Sequence, residues 1–259
     1  MRIVDFPALD ASVRGYLHEG NDRMVHHLVR PAVLICPGGA YRFCSARERD
    51  PAAMPFFTEG YNVFLLEYSC APDAGGCRPL REVAEALRTV RRRAGEWGIE
   101  PDRIALLGFS AGGHLAASLG VHWNHPELKL GEDSRPDALI LCYPVITTGE
   151  FAHRESADNV TGGDPALAEL FSLEHHAGAQ VPPTFLWHTV DDPSVPVENS
   201  MLFAAALQRS GVPFECHLFA HGEHGISACT VEVETPNAAC AAWIPLCLTW
   251  LNTLFSFTP

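Results

Sequence analysis

The 259-residue chain lacks several features that mark common classes of protein. Basic residues are few: 18 Lys and Arg stand against 31 Asp and Glu, which gives a formal net charge of −13. Nucleic acids and anionic membranes bind clusters of Lys and Arg, so this charge argues against both as partners. No stretch reaches the roughly 18 apolar residues of a membrane helix. The N-terminal sequence MRIVDFPALD lacks the apolar core of a signal peptide, and we therefore expect a cytoplasmic protein.

Cysteine and histidine are present without the spacings that build disulfide frameworks or metal sites. The nine cysteines contain no CxxC pair, which predicts reduced thiols that pack mostly as small apolar residues. The thirteen histidines contain no HExxH motif and no accompanying Cys/His pattern. We therefore expect no metal.

Linkers, repeats and low-complexity segments are also lacking, so we predict a single domain over residues 1–259. Short apolar runs rich in β-branched residues alternate with helical patterns, which indicates an α/β fold with a mostly parallel sheet covered on both faces. The first 30 residues are predicted to form antiparallel edge strands. Residues 144–182 are a long stretch containing Gly, Pro and His, for which we predict a cap over the site; a plain surface excursion is the alternative.

The motif GFSAGGH at 108–114 stands where a predicted strand, RIALLGF (103–109), meets a helical pattern. A strand-to-helix elbow of this kind holds a serine hydroxyl clear of the sheet, and the glycines on either side allow the tight turn. Ser110 is therefore the candidate nucleophile.

A serine nucleophile needs a base, and the base needs a carboxylate that orients it. In folds with this elbow the partners follow in the order Ser, Asp/Glu, His, each at the end of a later strand. The predicted strand at 184–190 is followed by DDPSVP, which offers Asp191 and Asp192. The predicted strand at 214–220 is followed by HGEHGIS, which offers His221 and His224.

Acyl transfer also needs backbone N–H groups that stabilise the negative oxygen of the tetrahedral intermediate. Ala111, directly after the nucleophile, is placed to donate one. The glycine turn in VLICPGGAY follows an earlier strand and offers Gly39 and Ala40 as further donors. The order and positions of these elements predict a serine hydrolase that forms an acyl-enzyme on Ser110.

Five segments, VLICPGGAY, GFSAGGHLAASLG, DALILCYPVI, TFLWHTVDDPSVPVENS and HGEHGIS, together resemble the bacterial α/β-hydrolase esterases of the acetyl-xylan and feruloyl esterase type. The resemblance covers roughly residues 30 to 255. It implies the α/β-hydrolase fold, a Ser-His-Asp carboxylesterase without a cofactor, and acylated plant-polysaccharide fragments as substrates. Pro37 and Ala40 depart from the HGGGW turn of related esterases, and the Ala40 methyl group bears on the width of the acyl pocket.

The resemblance also separates the paired candidates. His224 is preferred over His221 because HGI is similar to the His-Gly-apolar step of the family. Asp192 is preferred over Asp191 because the family's acid stands three residues before the valine of DPSVP.

Three residues are candidates for substrate contact: Tyr41, His188 and Asn159. For His188 a hydrogen-bonded position in the core is an equal alternative. Asn159 lies in DNVTGGDP, which the resemblance implies is a turn on the substrate side; an ordinary Asn/Gly turn is its alternative.

We expect a small-molecule ester as substrate, with acetyl esters of neutral sugars preferred to long-chain esters. The Ala40 methyl group narrows the part of the site that binds the acyl group, and polar residues in 144–182 suit a ligand rich in hydroxyl groups. The acidic net charge would repel anionic substrates and leaves neutral sugars unaffected. A general small-ester hydrolase, a serine peptidase of the same fold and a non-catalytic binding protein are the alternatives. A homo-oligomer is left open, because the sequence does not determine the oligomeric state.

Overall fold

An eight-stranded sheet forms the frame of the protein, in a computed structural model that describes residues 1–20 and 28–259. The order of strands across the sheet is β1-β2-β4-β3-β5-β6-β7-β8. The strands are β1 (Arg2–Ala8), β2 (Ala11–Leu17), β3 (Arg30–Cys36), β4 (Asn62–Glu67), β5 (Ile99–Phe109), β6 (Ala138–Cys142), β7 (Thr184–Thr189) and β8 (Phe214–Phe219). Strands β3 to β8 are parallel, and β1 and β2 form an antiparallel hairpin at one edge. The prediction of a mostly parallel α/β sheet is confirmed. The predicted antiparallel edge strands are confirmed within residues 1–20, and residues 21–27 of that prediction lie outside the described part.

Helices cover both faces of the sheet. They are α1 (Asp50–Glu59), α2 (Arg78–Arg92), α3 (Ala94–Trp97), α4 (Ser110–His122), α5 (Arg154–Thr161), α6 (Pro165–Leu170), α7 (Leu173–His176), α8 (Glu198–Arg209) and α9 (Trp243–Phe255). Alternate residues of the strands point to opposite faces, so Leu34 packs in the core beneath α2, α4 and α8, whereas Ile35 packs in the core beneath α1 and α9. Within the described ranges no helix combines the length and the apolar character needed to cross a membrane.

The sequence predicts one continuous helix from Leu80 to Trp97, but the structure divides it at Arg93. There α2 ends and the short α3 begins, and Gly98 in the left-handed conformation ends α3 as predicted. The break turns the Trp97 ring into the core, where it packs against Phe6 and Phe64 at centroid distances of 5.2 and 5.4 Å. Burial of this large ring explains why the helix does not continue straight.

The stretch at 144–182 carries three short helices, α5 to α7, rather than an open loop. It lies beside α4, because His114 and His122 of α4 both bond its backbone, at Phe171 O (3.0 Å) and Leu170 O (2.8 Å). Its N-terminal half reaches the carboxyl end of the sheet, where His153 and Glu155 line a cleft that also contains Ser110.

Candidate active site

Ser110 occupies a tight elbow between β5 and α4. Its backbone is left-handed, with φ of 53°, which is unfavourable for a residue with a side chain. The flanking glycines are sterically required: a Cβ on Gly108 would lie 2.1 Å from the carbonyl oxygen of Gly112, and a Cβ on Gly112 would lie 2.1 Å from that of Cys36. The motif at 108–112 therefore forms the elbow that the sequence predicts.

Two side chains from later strand ends meet Ser110. His224 Nε2 lies 2.7 Å from Ser110 Oγ, and His224 Nδ1 lies 2.7 Å from Asp192 Oδ2. The other carboxylate oxygen of Asp192 accepts the N–H groups of Ser194 and Val195 at 2.8 and 2.9 Å. These contacts fix the carboxylate, which holds the imidazole with Nδ1 protonated and leaves Nε2 free to accept the serine proton.

The alternative pair, Asp191 and His221, lies on the surface. Asp191 Oδ2 is 2.8 Å from His221 Nδ1, and the two side chains are 52% and 86% exposed. The Asp192 side chain, by comparison, is fully buried and that of His224 is 19% exposed. The structure thus brings Ser110 together with Asp192 and His224, and leaves Asp191 and His221 to pair with each other.

His188 supports the carboxylate from below. Its side chain is fully buried, with Nδ1 2.8 Å from Ser200 Oγ. Nε2 lies 3.0 Å from the Val195 carbonyl oxygen and 3.4 Å from Asp192 Oδ2. Burial raises the pKa of Asp192, but the hydrogen bonds from His188 and His224 outweigh it and hold this pKa well below its ordinary value. Because it has no access to the cleft, His188 does not contact a substrate, which corrects that prediction in favour of the core position.

The glycine turn after β3 faces the same cleft. Gly39 has φ of 124°, and a Cβ there would lie 2.1 Å from the carbonyl oxygen of Phe43, so the turn needs glycine. Ala40 follows with φ of 55°. Within the described residues the N–H groups of Gly39 and Ala40 have no acceptor in the protein, and both residues line the cleft beside Ser110. As the second residue of α4, Ala111 likewise has no acceptor within its helix.

Tyr41 and Asn159 stabilise this turn instead of lining the cleft. The Tyr41 ring is buried, and its hydroxyl group lies 2.7 Å from His114 Nδ1 in the interior. The Asn159 amide donates to the Ala40 carbonyl at 2.8 Å. For Tyr41 the prediction of substrate contact is corrected, because its side chain is buried and bonded in the interior. Asn159 is only partly buried, and its contact with a substrate stays a prediction.

The cleft is small and polar, with a volume of about 180 Å³. Arg42, exposed at its rim, pairs with Glu155 at 3.0 Å. Two of the polar residues at 144–182, Thr147 and Thr148, bond Gly149 N and Ser172 Oγ respectively. The cleft is lined by Gly39, Ala40, Arg42, Phe43, Ser45, Arg47, Glu48, Ser110, His153, Glu155, Ser194, His224 and Gly225.

Glu48 and Tyr143 are buried next to the site, and sequence reasoning missed both. Glu48 is 2% exposed although its surroundings, SARERD, are a charged run typical of a solvated surface. Tyr143 follows a buried strand and packs its ring edge-on against that of His224, 5.0 Å between centroids. Among the residues that the structure describes, no cluster of three His, Cys, Asp or Glu side chains is arranged to hold a metal ion.

Comparison with known proteins places this geometry among esterases. The sequence profile of the BD-FAE family matches residues 24–207, more than half of the chain. The chain is 38% identical over 227 residues to "Endo-1,4-beta-xylanase B" of Butyrivibrio fibrisolvens, covering 84% of this chain and 35% of that protein. It is 30% identical over 204 residues to "Acetylxylan esterase" of Xylanibacter ruminicola, covering 75% of this chain and 40% of that protein. The chain thus spans well under half the length of these two curated relatives.

Solved structures match over nearly the whole chain. An acetyl ester-xyloside bifunctional hydrolase from Caldicellulosiruptor lactoaceticus is 34% identical with a TM-score of 0.87, covering 98% of this chain and 97% of that one. The carboxylesterase Cest-2923 from Lactobacillus plantarum is 26% identical with a TM-score of 0.88, and both chains are covered completely. These similarities confirm the α/β-hydrolase fold and the prediction of an ester hydrolase domain.

Proposed function

The chain belongs to the BD-FAE family of α/β-hydrolases, and we propose that it is a serine carboxylesterase that removes acetyl and other small acyl groups from sugar esters such as acetylated xylo-oligosaccharides. The observation that carries this proposal is the pair of 2.7 Å contacts that join Ser110, His224 and Asp192. The N–H groups of the neighbouring glycine turn supply the second element that acyl transfer needs.

The reaction proceeds through an acyl-enzyme. Ser110 Oγ attacks the ester carbonyl carbon while His224 Nε2 takes the serine proton. The carbonyl oxygen becomes negative and accepts hydrogen bonds from the N–H groups of Gly39, Ala40 and Ala111. His224 then gives its proton to the departing sugar oxygen, which leaves an acetyl ester on Ser110. A water molecule, deprotonated by His224, attacks that ester. Collapse of the resulting tetrahedral intermediate releases acetate, and His224 returns the proton to Ser110.

The cleft supports a small acyl group and a polar leaving group. Its volume of about 180 Å³ lies below the range of ~300–1,000 Å³ typical of pockets for drug-sized ligands. Hydroxyl, imidazole and charged groups from Ser45, His153, Ser194 and Glu155 surround it. Two of the similar proteins, an acetylxylan esterase and an acetyl ester-xyloside bifunctional hydrolase, have names that agree with an acetylated sugar as substrate. Cytoplasmic location and self-association stay predictions.

A pre-steady-state experiment tests the acyl-enzyme. Mixing the protein with p-nitrophenyl acetate should release a burst of nitrophenol when deacylation is the slower step. Ser110→Ala and His224→Ala should each lower kcat by about four to six orders of magnitude. His221→Ala is the matched control and should retain near-normal turnover. A dead His221→Ala enzyme beside an active His224→Ala enzyme would overturn the assignment.

The substrate is tested by the ratio of kcat/KM values for acetyl and octanoyl esters, alongside acetate release from acetylated xylo-oligosaccharides. We expect acetyl esters and the oligosaccharide to be cleaved and octanoate to be poor. Faster cleavage of octanoate, or simple acetates cleaved with the oligosaccharide untouched, would replace the sugar-ester proposal with a general small-ester hydrolase.

A further inference from the structure

Glu48 is a buried carboxylate that the mechanism above does not use. It follows the glycine turn and lies at the wall of the cleft, with 2% of its surface exposed. No Lys or Arg side chain of the described chain lies within ion-pair distance of it, and burial raises the pKa of Glu48. Its bonds are with two neutral donors. Oε2 accepts the N–H of Gly38 at 2.7 Å, and Oε1 accepts the hydroxyl of Tyr143 at 2.8 Å.

Tyr143 extends this contact to the segment that carries the base. Its hydroxyl oxygen accepts the N–H of Ser227 at 2.9 Å, three residues after His224. The Ser227 hydroxyl in turn donates to the backbone oxygen of Arg47, at 2.6 Å, next to Glu48. One carboxylate therefore connects the turn that offers the N–H donors, the end of β6 and the loop after β8.

The backbone is strained where these connections attach. Tyr143 and Ser227 have φ of 36° and 49°, in the left-handed region that disfavours residues with a Cβ. The turn held through Gly38 continues into Gly39 at 124° and Ala40 at 55°. Such conformations persist only where surrounding contacts enforce them. The bonds to Glu48 are contacts of that kind, and they act on all three segments together.

We propose that Glu48 is a positioning residue, which fixes the N–H donors of the glycine turn relative to the imidazole of His224. The inference rests on the proposed esterase function. Attack at the carbonyl carbon requires the base on one side of the reacting centre and the N–H donors on the other. Because the two groups come from loops far apart in sequence, whose contact between Ser227 and Arg47 alone spans 180 residues, a shared buried contact keeps their separation constant. Displacement by about 1 Å lowers turnover by roughly a hundredfold in other enzymes.

The test compares Glu48→Gln, Tyr143→Phe and the double variant, with kcat and KM measured separately on p-nitrophenyl acetate. Gln keeps the shape and one acceptor but cannot accept from both Gly38 and Tyr143. Asp137→Asn is the matched control: Asp137 is a partly buried carboxylate that likewise accepts one backbone N–H, from Ile104 at 2.9 Å, and one side-chain donor, from Arg91 at 2.8 Å. It lies at the opposite end of the sheet, before β6 begins.

We expect Glu48→Gln to lower kcat about thirtyfold and Tyr143→Phe about tenfold, with KM within about threefold of the wild-type value. The double variant should lose no more than Glu48→Gln alone, because the two changes break one connection. Asp137→Asn should lower the melting temperature with kcat unchanged, which separates positioning from loss of stability.

A folded Glu48→Gln protein with kcat within about threefold of an active wild type would overturn the inference and leave the esterase proposal standing. So would single losses that multiply in the double variant. If Glu48→Gln does not fold, Tyr143→Phe decides, and unchanged kcat there rejects the connection. A wild type without ester hydrolysis would reject the proposed function and this inference together.

Discussion

Adjacent aspartates at the end of β7 each bond a histidine, but the two pairs differ in what surrounds them. Asp192 is buried, and its oxygens accept from two histidines and two backbone N–H groups. Asp191 is exposed and accepts from His221 and Gly222. The pairs are thus a natural matched set for testing the role of the carboxylate.

Replacing Asp192 by Asn should lower turnover by about four orders of magnitude, because an amide nitrogen facing His224 favours the wrong imidazole tautomer. Asp191→Asn should change turnover less than about threefold, since its partner is remote from Ser110. Steady-state kcat/KM on p-nitrophenyl acetate measures both, with circular dichroism to confirm folding. A larger loss at Asp191 would contradict the assignment.

At the residue scale, the sequence predicted the reacting groups better than their supports. Ser110 was predicted from its strand-to-helix elbow. Asp192 and His224 each follow a later strand, but their choice over the neighbouring Asp and His came from the family resemblance. Glu48 was missed because a glutamate in a charged run carries no sign that three loops will close over it. Tyr41 and His188 lie close to reacting residues in sequence, yet their side chains turn inward, a direction set by tertiary packing rather than by local pattern.

Among the elements, the glycine turn after β3 offers the next test, at Ala40. A φ of 55° costs a residue with a Cβ about 1–2 kcal/mol, and glycine would avoid this strain. Part of that gain is lost, because glycine also raises the conformational entropy of the unfolded chain. We expect Ala40→Gly to raise the free energy of unfolding by about 0.5 kcal/mol. Removing the methyl group should also raise kcat/KM for butyrate relative to acetate.

Ser256→Gly is the control for Ala40→Gly. Ser256 has a similar φ of 49° but lies exposed at the end of α9. It should gain similar stability while leaving the ratio of butyrate to acetate hydrolysis as in the wild type. An Ala40→Gly enzyme with an unchanged ratio would show that the methyl group does not limit the acyl side.

The elements themselves were largely predictable, because the apolar strands and the glycines that end helices give strong local signals. The division of α2 from α3 was not, since it depends on where Phe6 and Phe64 leave room for Trp97. The three helices at 144–182 were not predictable either, because each is short and its few apolar residues show no clear helical periodicity. Their placement depends on contacts with α4, which the sequence does not reveal.

For the whole molecule, the lowered pKa values of two buried histidines of α4 make stability depend on pH. Burial lowers the pKa of His114 to about 4, and burial together with nearby His176 and His125 does the same for His122. In the unfolded chain each would titrate near ~6.5. Between these values the unfolded state binds more protons, so stability is full above about pH 6.5 and falls as pH drops toward 4, by up to about 1.4 kcal/mol per pH unit for each histidine.

Urea unfolding between pH 4.5 and 7 measures this dependence. In His122→Gln, which can still donate to the Leu170 carbonyl, the slope should fall, because one of the groups with a lowered pKa is removed; His18 and His153, whose pKa values burial also lowers, keep their share of the slope. The lowered pKa of Asp192 contributes only at lower pH, below its unfolded value of about 3.9, and stays outside this window. An unchanged slope in His122→Gln would show that other groups cause the pH dependence.

The small residues of the buried helix α4 limit which positions of this protein can be substituted. Every residue of α4 is buried, and Cβ atoms added at Gly112, Gly113 and Gly120 would lie within 2.1, 2.9 and 2.5 Å of neighbouring atoms. Most variants in a library that varies α4, the helix beneath the nucleophile, would therefore fail to fold. Arg42, Phe43, Glu155 and Ser194 stand at the exposed rim of the cleft, so randomising these positions lets new substrate preferences be selected while the fold stays intact.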